Sequence, residues 1–162
     1  MAATPALDLL IRSKTVHSVV TYHHDPSVES FGDEAATALG AEAARVFKTL
    51  VVRADKNLAV GVVPVDVALD MKALAKVLGA KRALMADAQS AARSSGYVVG
   101  GISPLGQKHP LTTVIDESAN DFATIFVSGG RRGLEIELSP GDLATLTTGR
   151  FAAIALKSSG RD

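Results

Sequence analysis

"RVFKTLVVRADKNLAVGVVPV", residues 45–65, is the stretch on which the fold turns. Two apolar runs, "KTLVVRA" and "LAVGVVPV", flank Asp55-Lys56-Asn57, a pattern that predicts a β-hairpin with a three-residue loop. Side chains alternate along a strand, so Val46, Lys48, Leu50 and Val52 share one face and Phe47, Thr49 and Val51 the other. Lys48 is the single charge between Val46 and Val52. Either its methylenes pack while the amine reaches water, or the ammonium serves a pocket.

Upstream of the hairpin, Thr4 and Pro5 read as the N-cap and first residue of a helix running to about Lys14. "SVVTYHH" reads as a strand from Ser18. "SFGDEAATALG" reads as a helix from Ser30 stopped by Gly40, and a helical turn follows around Glu42. Downstream, Asp70 to Leu78 is a helix ended by Gly79, and Asp87 caps a second one that stops at Gly96. "LTTVID", "ATIFVSGG" and "LEIEL" are strand-like, and a last helix lies near Asp142 to Leu146. Strands in hairpin order with unevenly inserted helices argue against a regular doubly wound sheet. The expected fold is α+β, with a mixed, mostly antiparallel, barrel-like sheet and short helices around it. No repeat or change of composition marks a linker, so residues 1–162 read as one domain and the glycine-rich "GYVVGGISPLGQKHP" (96–110) as an internal loop.

Composition narrows the chemistry. The 162 residues include no cysteine and no tryptophan, which removes disulfides, thiolate zinc sites and cysteine nucleophiles and leaves an aliphatic core. Seventeen Lys plus Arg balance seventeen Asp plus Glu, so the net charge gives no broad pull on nucleic acid. The expectation is a grip on a small part of a polynucleotide, with no DNA partner. "MAATPALDLLIRSK" lacks the form of a targeting segment, and no apolar stretch reaches the roughly 18 residues of a membrane span. These features predict a cytoplasmic protein with no membrane partner.

Several motifs come close and fail. "GISPLGQK" (101–108) has glycines at phosphate-loop spacing, but Gln107 stands in place of the lysine and no Ser or Thr follows. Leu105 likewise replaces the second glycine of a serine nucleophile elbow after Ser103. His17, His23, His24 and His109 show no metal-ligand spacing, and no metal or cofactor is expected. "VSGGRRG" (127–133) reads either as a plain hairpin turn or as a nest of backbone N–H groups beside Arg131 and Arg132.

"VFKTLVV", "VPV", "LGAKRALMAD", "GYVVGGISPLGQK", "FATIFVSGGRRGLEIEL" and "GDL", in this order and at these separations, resemble the bacterial YbaK/EbsC proteins. Those are freestanding relatives of the editing domain inserted in prolyl-tRNA synthetase. The resemblance runs from about Leu7 to Leu156. It implies a barrel-like editing-domain fold and a trans-editing aminoacyl-tRNA deacylase that removes cysteine from Cys-tRNA(Pro). It further implies that the substrate's own thiol attacks the ester carbonyl and leaves as a thiolactone. By the same resemblance Lys48 holds the terminal nucleotide or phosphate of the tRNA acceptor end. Thr49, Tyr22 and Phe31 fall on neighbouring pocket positions. Gly100, Gly101, Ser128, Gly129 and Gly130 lie on loops beside the aminoacyl group, and Glu135 stands where several relatives carry Asp. Prolyl-tRNA synthetase is the implied protein partner. Alanine- or serine-charged tRNA as substrate, and a non-catalytic module that binds tRNA or synthetase, are the alternatives.

Overall fold

A computed structural model describes residues 3–25 and 31–156, with the backbone alone for 31–33. The central hairpin forms as expected, with β2 (Phe47–Ala54) antiparallel to β3 (Asn57–Pro64). Its loop is one residue shorter than predicted. Ala54 pairs with Asn57, and Asp55 turns the chain at φ 53°, a left-handed conformation that Asp tolerates better than most residues.

Among the described residues eight strands form two sheets. In the larger, the order is β4 (Ala83–Met85), β2, β3, β5 (Thr112–Asp116) and β8 (Arg150–Ala152). The β4–β2–β3 pairings are antiparallel, whereas β3–β5 and β5–β8 are parallel. In the smaller sheet β7 (Leu134–Leu138) lies between β1 (Ser18–Thr21) and β6 (Ile125–Ser128), antiparallel to both. A parallel bridge from Val46 to Phe126 joins the sheets. The mixed, mostly antiparallel character agrees with the sequence reading. The curl expected of a barrel takes the form of two sheets meeting at this bridge.

β4 and β8 were not legible in the sequence, since three residues are too few to show an alternating pattern. The five-stranded sheet is covered on both faces, which explains the near-continuous apolar runs of β2 and β3. Phe47, Val51, Val60 and Val62 enter the largest core cluster with Ile125, Val127, Leu134 and Ile136. On the other face Val52, Val63, Val114 and Ile154 pack with Leu69 and Leu74 beneath α3 (Met71–Leu78). A third cluster sets Val46 and Phe126 against Ala35 and Ala36 of α2 (Phe31–Leu39).

Most of the short helices start at a side-chain cap. Thr4 Oγ1 accepts the Leu7 N–H at the start of α1 (Pro5–Arg12), and Asp70 accepts the Ala73 N–H at the start of α3. Asp87 caps α4 (Ala88–Ser95), while Ser139 caps α5 (Pro140–Thr147). Gly79 and Gly96 close α3 and α4 in the left-handed conformation, as the sequence predicts. Asp116, buried behind β5, accepts the N–H groups of Ile154, Ala155 and Ser118 and so fixes the chain after β8.

Candidate functional site

The hairpin register decides where the site lies. Val65 N–H donates to Val46 O, so Val46, Lys48, Leu50 and Val52 turn their peptide groups toward β3. Phe47, Thr49, Val51 and Arg53 turn theirs to the opposite edge. That edge is shared by two strands. β6 meets it at the Val46–Phe126 bridge, and β4 takes over where Ala86 N–H donates to Val51 O at 3.0 Å. Between them the peptide groups of Thr49 face a gap.

A cavity of about 410 Å³ opens at this gap. Lys48 and Thr49, though on opposite faces of β2, both line it, because it wraps around the strand's unpaired edge. Thr49 Oγ1 is buried and has no hydrogen-bond partner among the described residues. A buried hydroxyl is normally paired, so an orphan facing a cavity is a place for a ligand atom. Lys48 is half-buried at the same edge.

The smaller sheet supplies the facing wall. Ser128 of β6 and Glu135 of β7 are direct cross-strand partners, and both line the cavity. Tyr22 joins them after β1, where its backbone N–H donates to Gly133 O. Glu135 is only 6% exposed, and burial pushes its carboxyl up to about 8 from the usual 4.5. It is therefore mostly neutral at pH 7. Tyr22 is pushed up to about 12, first by burial and then by the nearby Glu135 carboxylate. Apolar side chains complete the lining: Leu50, Met85, Ala86, Ile102 and, one helical turn apart on α4, Ala88 and Ala91. The sequence reading missed these, although alanines three apart on a capped helix are a recognisable sign of close approach.

The glycine loops divide. Gly100 lines the cavity at φ 95°. Gly101, Gly129 and Gly130 are not in the lining, and their amides are engaged elsewhere. Gly101 N–H donates to Val98 O, Gly129 N–H to Leu134 O and Gly130 N–H to Ser128 Oγ. "VSGGRRG" is thus the plain turn of the two readings, not an open nest. These glycines bring chain segments together. A Cβ on Gly101 would stand 2.8 Å from Arg131 Cα, and one on Gly130 would stand 2.8 Å from the Tyr97 ring. Ser128 Oγ donates to Gly101 O at 3.2 Å, which ties the two loops and occupies that hydroxyl. The side chain of Phe31 lies outside the described residues, and its helix reaches the cavity through Ala35.

The lining brings together Lys48 and Thr49 of one strand, Gly100 of the glycine loop and the buried Glu135. The family model for "Aminoacyl-tRNA editing domain" matches residues 25–146. The chain belongs to the aminoacyl-tRNA editing domain family. Within that family it is 40% identical over 126 residues, 77% of each chain, to EbsC of Enterococcus faecalis, provisionally named a Cys-tRNA(Pro)/Cys-tRNA(Cys) deacylase. A crystal structure described provisionally as a trans-editing enzyme for prolyl tRNA synthetase superimposes with a TM-score of 0.82. It covers 97% of this chain and 100% of its own at 22% identity, a likeness of fold. A structure of hypothetical protein APE2540 matches 94% of this chain and 100% of its own with a TM-score of 0.84 at 21% identity. The editing-domain fold expected from the sequence is thereby shown.

Proposed function

We propose that this chain is a trans-editing aminoacyl-tRNA deacylase, a single domain acting in the cytoplasm that removes cysteine from Cys-tRNA(Pro). The observation that carries the reading is one cavity gathering Lys48, the Thr49 edge and Gly100 around a space sized for a small ligand. Family membership supports it, as does the name of the E. faecalis relative. Prolyl-tRNA synthetase is the proposed source of the mischarged tRNA and the proposed partner, in keeping with the structural neighbour's description.

In this reading Lys48 holds the phosphate or sugar of the terminal nucleotide by charge-assisted hydrogen bonds. The ester carbonyl lies at the gap in β2, where Thr49 Oγ1 and the Thr49 and Gly100 N–H groups are the available donors. Preorganised donors of this kind are worth about 3 to 4 kcal/mol each when the oxyanion forms. Tyr22, Ser128 and Glu135 bound the aminoacyl group, with the neutral Glu135 carboxyl able to donate as well as accept.

Among the described residues the cavity lining contains neither histidine nor a free serine hydroxyl, since Ser128 is tied to Gly101. The reaction we favour therefore draws its nucleophile from the substrate. The cysteinyl thiol, losing its proton, attacks the ester carbonyl. A C–S bond forms, the C–O bond to ribose breaks, and the proton ends on the ribose oxygen. The products are a thiolactone and free tRNA. Holding sulfur and carbonyl carbon about 3 to 3.5 Å apart provides the intramolecular advantage.

Deacylation of Cys-, Ala- and Ser-tRNA(Pro), with and without synthetase, tests the proposal. Cys-tRNA(Pro) is expected to be cleared fastest, and an S-alkylated substrate to survive. Hydrolysis of the blocked ester at the unblocked rate would refute the thiolactone route. Wild-type activity in Lys48→Ala would refute the role of Lys48.

A further inference from the structure

The balanced charge of the chain conceals a separation. Residues 80–110, which supply part of the cavity wall, and the turn 129–133, which packs against that segment at Gly101 and Val99, contain Lys81, Arg82, Arg93, Lys108, Arg131 and Arg132 but only one acid, Asp87. The Asp87 carboxylate is engaged with the N–H and hydroxyl of Ser90 at the start of α4. A second groove, between β5 and the chain after β8, is lined by Asp66, Asp116, Glu117 and Asp121, with no lysine or arginine among its described lining residues.

Two of these cations sit on the segment that reaches the cavity. Arg132 Nη2 donates to the carbonyl of Val99, itself a lining residue, at 2.9 Å. Arg131 presses its backbone against Gly101 and exposes its side chain. Lys108 N–H donates to Ser95 O at the end of α4, and both Lys108 and Arg93 are exposed. Exposed Val98, 65% accessible, lies between these groups in the chain.

From this arrangement we infer that the rim formed by α4 and the 98–109 and 129–133 loops is the docking surface for a double-stranded RNA stem. The inference rests on the deacylase reading, in which a single-stranded 3′ end enters the cavity. A stem continuous with that end must leave across whichever wall surrounds the mouth. Here that wall is cationic, and its contacts are to phosphate, so the surface reads shape and charge and not base sequence. The acidic groove repels the same backbone and orients the approach. Four or so phosphate contacts give weak, salt-sensitive binding, so a partner that delivers the RNA fits this surface.

The test is fluorescence anisotropy with an uncharged RNA hairpin ending in a single-stranded CCA, titrated across salt concentrations. The variant Lys108→Glu/Arg131→Glu changes two exposed side chains, and thermal melting confirms that it folds. It is expected to weaken binding at least roughly tenfold at about 100 mM salt and to lower the log–log salt slope by about 2. Glu117→Lys/Asp121→Lys, in the acidic groove, changes net charge equally in the opposite sense and is expected to shift affinity by less than about threefold. Equal and opposite effects of the two variants would mean diffuse charge attraction and overturn the surface, as would an unchanged affinity in the first variant. Hairpin binding on this rim by a protein that clears no aminoacyl-tRNA would sink the deacylase reading and leave the surface standing. Clearance of aminoacyl-tRNA by a protein whose rim variant binds normally would do the reverse.

Discussion

Replacing Glu135 by Gln should make the protein more stable, and increasingly so as pH rises. The carboxyl is buried in the cavity wall and its pKa is pushed up to about 8, against 4.5 in the unfolded chain. Between those values the folded protein keeps a proton that the unfolded chain has released. The wild type therefore loses stability as pH climbs from about 4.5 to about 8, and the loss levels off above that. At about 1.4 kcal/mol per pH unit, the full span is worth at most roughly 5 kcal/mol. A carboxyl at a cavity wall is screened more than one in a close-packed core, so about 2 to 4 kcal/mol is the working figure. For a domain of this size that corresponds to a Tm gap of roughly 5 to 15 °C. Differential scanning calorimetry of both proteins from pH 4 to pH 9 measures it directly, and taking the difference cancels every other titration. The gap should be near zero at the acid end and widest above pH 8. A gap that stays constant within about 1 °C across the range would show that Glu135 does not titrate abnormally. A second readout is the phenol of Tyr22, which should ionise at lower pH in the variant because the Glu135 charge helps hold it up.

The orphan hydroxyl of Thr49 predicts opposite effects on stability and rate: Thr49→Val removes an unpaired buried polar atom and should leave the Tm unchanged or raised. Deacylation by that variant should nevertheless fall about 10²-fold in single-turnover assays if the hydroxyl meets the developing oxyanion. Gly101→Ala places a methyl 2.8 Å from the Arg131 backbone and should cost roughly 1 to 3 kcal/mol in urea denaturation, since no flexible side chain can give way. Asp116→Ala strips three backbone N–H groups of their acceptor and should cost about 2 to 5 kcal/mol, with hydrogen exchange accelerated first at Ile154 and Ala155.

The elements legible in the sequence are those whose signals are local. Thr4-Pro5, Asp70 with Gly79, and Asp87 with Gly96 mark their helices because a cap needs only a side chain and a neighbouring amide. The apolar runs of β2 and β3 revealed the hairpin for a similar reason. The short β4 and β8 exist only because longer strands offer them an edge, and nothing in "ALM" or "RFA" records that offer. At the site, the family resemblance led to Lys48, Thr49, Tyr22, Gly100, Ser128 and Glu135, which the structure brings to one cavity. It did not separate Gly100, which lines the cavity, from Gly101, Gly129 and Gly130, whose amides close turns. That difference depends on where each glycine is placed, which is set by the approach of Arg131, Leu134 and Tyr97 from distant parts of the chain.

The interrupted edge of β2 also bears on how this protein avoids its own kind. An unsatisfied strand edge is a template on which a second polypeptide can crystallise into a shared sheet, and long open edges invite aggregation. Here β6 and β4 occupy the two ends of that edge and leave a window about one peptide unit wide around Thr49. Such a window is too short to nucleate a strand, so the edge is closed to other chains while a short stretch of it stays open to the cavity.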